Sequence, residues 1–318
     1  ATTLQAAVPA HELSMISDIR VYGRQNAADV LTVDYTGGDP VPAGGLDFNG
    51  QNGVGDVIKL ANANLLSTTD LTLTGPTAGT ITDSGINTLT LTDIEGIAFD
   101  TSATSGTINV LFSDASNSVS ISDDAVTNNG LSVMTSTSAP SVTFPVAAAI
   151  VIDLADGNDS LTINSIDTQS STPISVSGGE GNDTLVGNAG NDSLEGQAGN
   201  DSLTGSAGSD ALLGGADDDV YSFAVAATPA EVDTVIELAN EGRDLLDFSG
   251  VTVAVTVNLT SDGITAPNSL ASHANRTVRT GAAGQAANFE SARGGTVADS
   301  ITGNAANNFL DGGAGNDT

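Results

Sequence analysis

The sequence predicts an all-β chain wound as a parallel solenoid, and three observations predict it. A nine-residue unit repeats in tandem from Gly178 to Ser222, as GGEGNDTLV, GNAGNDSLE, GQAGNDSLT, GSAGSDALL and GGADDDVYS. Short runs of β-branched residues, divided by turn residues, fill residues 1–150. Helical periodicity is not evident over a useful length, except weakly near His11–Ile19.

Residues 1–150 are rich in Thr, Ser, Asn and Gly. Their strand candidates are Val30–Tyr35, Val57–Leu60, Leu71–Thr74, Thr88–Thr92, Thr107–Phe112 and Ser118–Ser122. Sandwiches and barrels also show short strands at such spacing. A solenoid is preferred because this region runs into the tandem units without a break in composition. It is read as an irregular Thr/Asn-rich solenoid with coils of roughly twenty residues or more. Ala149–Ile163 forms the transition. Its segment LADGNDSLTI sets Gly157, Asp159 and Leu161 at the spacing of the tandem unit's Gly, Asp and Leu, so it reads as a first, partial turn.

In the tandem block Leu185, Leu194, Leu203 and Leu212 recur every nine residues, with Tyr221 next. An odd period would carry a continuous strand's side chains to the opposite face. It works when each unit is half a coil with a turn on either side. Both half-coils then point their apolar residues into one narrow core, and successive coils pair at about 4.8 Å. The turns point to a metal. Glycine frees backbone carbonyls to face outward, and calcium takes six to eight hard oxygens from carboxylates and carbonyls. One turn supplies part of that shell and the turn one coil on supplies the rest. Ligands should therefore pair at a spacing of eighteen, twice the repeat. Asp183, Asp201 and Asp219 then line one edge, and Asp192 and Asp210 the other. Gly181, Gly190, Gly199 and Gly208 are the turn glycines of those sites. Asp217, Gln197 and Asn188 stand where the unit prefers glycine.

These units fit the pattern G-G-x-G-x-D-x-U-x, with U a large apolar residue. They resemble the calcium-binding nonapeptide repeat of RTX (hemolysin-type) proteins, large bacterial secreted or surface β-solenoids. The resemblance implies a right-handed parallel β-helix continuing into a calcium-binding β-roll, with several Ca2+ ions.

After Ser222 the units pause. EVDTVIELANEGRDLLDFSG resembles a stretch that often follows or separates such repeats, and Gly242 with Asp244 reproduces the G-x-D element. Val251–Leu259 reads as another strand. Residues 260–293 read as a longer excursion from the coil, with Arg276, Arg279 and Arg293 pairing at the surface with the acidic body. The motif resumes at Gly294. Asp299 and Asp317 share an edge, while Asn308 offers only a neutral oxygen to the other. The sequence stops at Thr318, one residue before the expected apolar anchor and without a cap, so a continuing chain or another chain is expected to cover this end. The organisation expected is 1–150 irregular solenoid, 151–222 calcium roll, 223–293 variant coils with the excursion, and 294–318 a second short block.

Composition narrows the function. The formal net charge is −32, from 39 acidic against 7 basic residues. Such a surface repels nucleic acid and anionic membranes and favours cations. Val146–Ile152, the longest apolar run, is too short for membrane insertion. Cysteine is absent, which excludes disulfides and thiolate chemistry. The two histidines, His11 and His273, sit in no zinc or nucleophile motif. No catalytic constellation is evident, so the expectation is a structural, non-enzymatic protein. It would be extracellular or on a bacterial cell surface, joined head to tail with its own copies or with other matrix components. An adhesin or binding stalk is the first alternative. A polysaccharide lyase or epimerase is the second, disfavoured by Arg20, Arg24 and Lys59 being the only basic residues of the first 150 and by the absence of Trp.

Overall fold

The structure is a computed structural model. Between residues 19 and 145 it describes the strands and a few flanking residues; beyond them it describes 149–164, 173–225, 230–239, 241–264 and 269–318. The helical signal at His11–Ile19 lies outside these residues except for Ile19, which opens a strand. The chain divides into two compact units, residues 1–154 with 163–172, and residues 155–162 with 173–318.

The strand candidates of the first unit all fall on strands, with small shifts at their ends. Parallel pairs build it. Ile19–Tyr22 pairs Leu46–Asn49, which pairs Ile86–Thr92. Val30–Asp34 pairs Val57–Ala61, which pairs Gly96–Phe99. Thr68–Gly75 pairs Thr107–Leu111, which pairs Ala149–Asp153. Alternation decides the inner face: Ile108 and Val110 are buried on one strand, Ile150 and Ile152 on the next.

Irregular parallel coils alone do not describe this unit. Two antiparallel three-stranded detours interrupt it. One is Thr68–Gly75, Ala78–Asp83 and Ile86–Thr92; the other is Ser118–Asp123, Leu131–Ser136 and Ser141–Pro145. A detour climbs two rungs and turns back through antiparallel neighbours, which a direct connection can join, whereas parallel neighbours need a crossover. It lengthens a sheet without leaving ladder groups unpaired.

In the second unit successive strands alternate between two parallel ladders, as half-coil units require. One ladder holds Thr184–Val186, Ser202–Thr204, Val220–Ser222, Asp244–Asp247, Phe289–Arg293 and Phe309–Asp311. The other holds Ile174–Glu180, Ser193–Ala198, Ala211–Ala216, Glu231–Ile236 and Arg276–Thr280. The register advances by eighteen: Leu185 faces Leu203, which faces Tyr221, and Leu194 faces Leu212. These side chains are at most 1% exposed. Each contributes about 1.5–3 kcal/mol of apolar burial.

Residues 260–293 are less of an excursion than their sequence suggests. Val255–Asn258, Ala271–His273 and Arg276–Thr280 form a third antiparallel detour, closed between its last two strands by a hairpin with Ala274 at φ 39°. A 3-10 turn at Gln285–Asn288 then leads into Phe289–Arg293, a strand of the first ladder.

Candidate metal centre

Asp159, Asp183, Asp192, Asp201, Asp210, Asp219 and Asp299 each stand just before a strand, where the turn delivers the carboxylate into the interior, whereas Asp317 is exposed. The six from Asp159 to Asp219, and Asp244, are at most 2% exposed. Two ladders result. In the first, Asp183 Oδ1 accepts the Asp159 N–H (2.8 Å), Asp201 Oδ1 the Asp183 N–H (2.8 Å), Asp219 Oδ1 the Asp201 N–H (2.8 Å) and Asp244 Oδ1 the Asp219 N–H (3.0 Å). In the second, Asp192 Oδ1 accepts from Ile174 (2.9 Å), Asp210 Oδ1 from Asp192 (2.9 Å) and Asp233 Oδ1 from Asp210 (3.1 Å). A third, shorter run has Asp299 Oδ1 on the Val255 N–H (2.7 Å) and Asp317 Oδ1 on the Asp299 N–H (2.9 Å). The edges expected for Asp183, Asp201 and Asp219 and for Asp192 and Asp210 are thus the edges on which the fold places them. Asp159, Asp244, Asp299 and Asp317 join ladders of the same kind.

One oxygen of each carboxylate is used this way. The other, Oδ2, is buried with no hydrogen-bond partner in Asp183, Asp201, Asp210 and Asp219. It points into a crowded, oxygen-lined turn. A methyl group on Gly196 would lie 2.0 Å from Asp201 Oδ2 and 2.7 Å from the Gly214 carbonyl oxygen. Gly181, Gly199 and Gly208 hold φ of 134°, 116° and 127°, and a methyl group there would strike the Gly157, Gly181 and Gly190 carbonyl oxygens respectively. Carbonyls of one turn therefore face the backbone of the next, and glycine is the residue that lets them approach. Gln197, Ser206 and Asp217 adopt φ of 82°, 76° and 78° despite their side chains, so departures from glycine leave the turn's shape in place.

Burial lifts the carboxyl pKa values. Asp201, Asp210 and Asp244 are pushed up to about 7, Asp219 to about 8, and Asp183, Asp192 and Asp233 move in the same direction, each only partly offset by hydrogen bonds. A buried carboxylate without positive charge nearby is costly. Carboxylate and carbonyl oxygens in stacked turns are also the donor set that calcium prefers. The residues present fit that ion: it would neutralise the carboxylates and tie consecutive turns together.

Some contributors were not singled out from the sequence. The residue before each aspartate forms its own ladder: Asn158 Oδ1 accepts the Asn182 N–H (2.9 Å), Asn182 Oδ1 the Asn200 N–H (3.0 Å) and Asn200 Oδ1 the Asp218 N–H (3.1 Å). The recurring GND tripeptide carried that signal. Arg276 corrects the surface-pairing expectation. Its guanidinium is buried, donating to Asp233 at 2.5 Å, to Glu231 at 2.7 Å and to the Ser206 carbonyl. Asp233 is the last member of the second ladder, so that ladder ends on a covalently held cation. Arg293 does pair near the surface, with Asp311 at 3.3 Å and Asp247 at 3.7 Å, and Arg279 reaches Thr234.

Glu237 is the other newcomer. It follows the Leu213–Ile236 register pair, so it stands where the preceding coil has Gly214. It is fully buried, with Oε1 accepting from the Tyr221 hydroxyl and Oε2 unpartnered. One ligand oxygen each from Asp219, Glu237 and Asp244 lie within 4.8 Å of one another.

Comparison with known families agrees with this geometry. The family model for the RTX calcium-binding nonapeptide repeat (4 copies) matches residues 177–212, 186–221 and 290–318. The chain therefore carries RTX calcium-binding repeats in two blocks. Comparisons with curated proteins and with solved structures each found no match.

Proposed function

We propose that this chain is a calcium-stapled structural solenoid, working outside a bacterial cell or on its surface as part of a fibre, matrix or surface layer. The observation that carries the reading is the pair of buried carboxylate ladders, in which Asp183, Asp201, Asp210 and Asp219 each set one oxygen on the neighbouring coil and leave the other unpartnered in a carbonyl-lined turn. Asp183, Asp192, Asp201, Asp210 and Asp219 are the principal ligands, with the turn carbonyls of residues such as Gly181, Gly190, Gly199 and Gly208. Asp159, Asp244, Asp299 and Asp317 extend the set. Such a stack is ordered where calcium is plentiful, and millimolar extracellular calcium suits sites of this class. A net charge of −32 opposes compaction until cations are bound. A solenoid's contacts are between neighbouring rungs, so the same physics extends from coil to coil and from copy to copy.

Circular dichroism and electron microscopy of the purified chain, in chelator and in millimolar calcium, test both parts. Gain of β-structure with calcium and end-to-end joined particles are expected. Identical spectra in the two buffers would overturn the stapling, and strictly single particles at saturating calcium would overturn the assembly.

A further inference from the structure

We propose that Asp219, Glu237 and Asp244 form a divalent-cation site of a second kind, built from side-chain carboxylates and placed where the first repeat block ends. The turn sites draw on glycine carbonyls and one aspartate per turn. Here the glycine column is broken. Gly178, Gly196 and Gly214 line one side of the roll, and the next coil sets Glu237 in that column. A second change accompanies it: the core column Leu185, Leu203 continues as Tyr221. The two belong together, because the Tyr221 hydroxyl donates to Glu237 Oε1, accepts the Gly214 N–H at 2.6 Å, and fixes the carboxylate's orientation.

Three carboxylates converge in a region without exposed surface. Tyr221 and Glu237 are 0% exposed, and Asp219 and Asp244 1%. Asp219 Oδ2 and Glu237 Oε2 have no hydrogen-bond partner. Asp219 Oδ1 and Asp244 Oδ1 already accept the Asp201 and Asp219 N–H groups, so Asp219 Oδ2 and Glu237 Oε2 are the oxygens left for an ion. No cationic side chain is paired with the cluster among the described ion pairs. Hard oxygens carrying three formal charges select a hard divalent ion, and affinity in such sites rises with the number of charged ligands and with rigidity. This site should therefore fill before the turn sites and empty after them. The inference rests on the cation-binding reading only in sharing Asp219 and Asp244 with the ladder; Glu237 and Tyr221 are its own.

Terbium substituting for calcium tests it, because emission sensitised by tyrosine reports an ion beside a phenol, and Trp is absent from this chain. Tyrosine-excited terbium emission is expected to saturate first in a titration of the whole chain. Glu237→Gln keeps the shape and removes the charge; it should raise the midpoint by about tenfold or more. Tyr221→Phe should abolish the emission while native mass spectrometry still counts the same ions. Asp210→Asn, on the opposite edge, should lose turn-site ions without moving the midpoint. Absence of sensitised emission in the unaltered chain, or a midpoint unmoved by Glu237→Gln, would overturn the proposal. If Asp210→Asn still loses ions in that case, the turn sites stand and only this site falls.

Discussion

Replacing Asp201 by Asn should have opposite effects on stability in chelator and in calcium. The substitution keeps an Oδ1 that accepts the Asp183 N–H at 2.8 Å and removes the charge on the inward oxygen. Burial raises the Asp201 pKa from 3.8 to about 7. That is about three units, and each unit corresponds to about 1.4 kcal/mol, so ionising this group in the calcium-free fold costs about 4 kcal/mol near neutral pH. The amide must still be desolvated, which leaves a net gain of about 1–3 kcal/mol for the calcium-free variant. With calcium the balance turns. Asp201 lies between Asp183 and Asp219 on its ladder and borders two stacked turns. A site at one hundred times its Kd contributes about 2.7 kcal/mol, so weakening two sites removes up to about 5 kcal/mol. Urea unfolding followed by circular dichroism, with chelator and with calcium, reads both signs. A variant less stable than the parent in chelator would refute the reasoning, because it would mean that the carboxylate stabilises the coil without a cation.

Acidification should replace calcium in part. Folded pKa values of about 7 for Asp201, Asp210 and Asp244, about 8 for Asp219 and about 9 for Glu237 lie above the ordinary carboxyl values. Their contribution is therefore complete below the unfolded values and is lost as pH climbs through about 7 to 9, so the Tm in chelator should rise as pH falls from 8 toward 4. A flat or falling Tm over that range would contradict it. Gly196→Ala should cost more than about 3 kcal/mol and remove calcium from its turn, since the added carbon meets Asp201 and the Gly214 carbonyl. Gly250→Ala, with nothing within 4 Å, should stay within about 0.5 kcal/mol; calorimetry with calcium compares the two. Arg276→Met strands Glu231 and Asp233 in the interior and should cost about 3–5 kcal/mol. Adding Glu231→Gln and Asp233→Asn should recover most of that loss, and a triple variant no better than the single one would show that the arginine acts by packing alone.

The parts legible in the sequence are those set by local period. Leucines nine apart and aspartates eighteen apart declare half-coils and two edges without knowledge of any distant contact. Where connections lengthen, that arithmetic stops. Glu237 enters the glycine column at a spacing of twenty-three from Gly214 rather than eighteen, so the period alone does not place it there. Arg276 meets Glu231 across a detour whose antiparallel pairing reverses the order of strands. The detours of the first unit were hidden for another reason: strands that pair antiparallel and strands that stack in parallel have the same alternation. In the second unit a signal was present in the two-residue joint Ala274-Asn275, which suits a hairpin better than a coil corner.

If calcium fills the turns as proposed, most rungs of the second unit borrow their positive charge from solution, whereas the rung holding Arg276 carries its own. Dilution or chelation cannot strip a guanidinium away. On that reading this rung would keep its charge balance in the absence of calcium, and neighbouring turns would wind onto it once the ion is supplied.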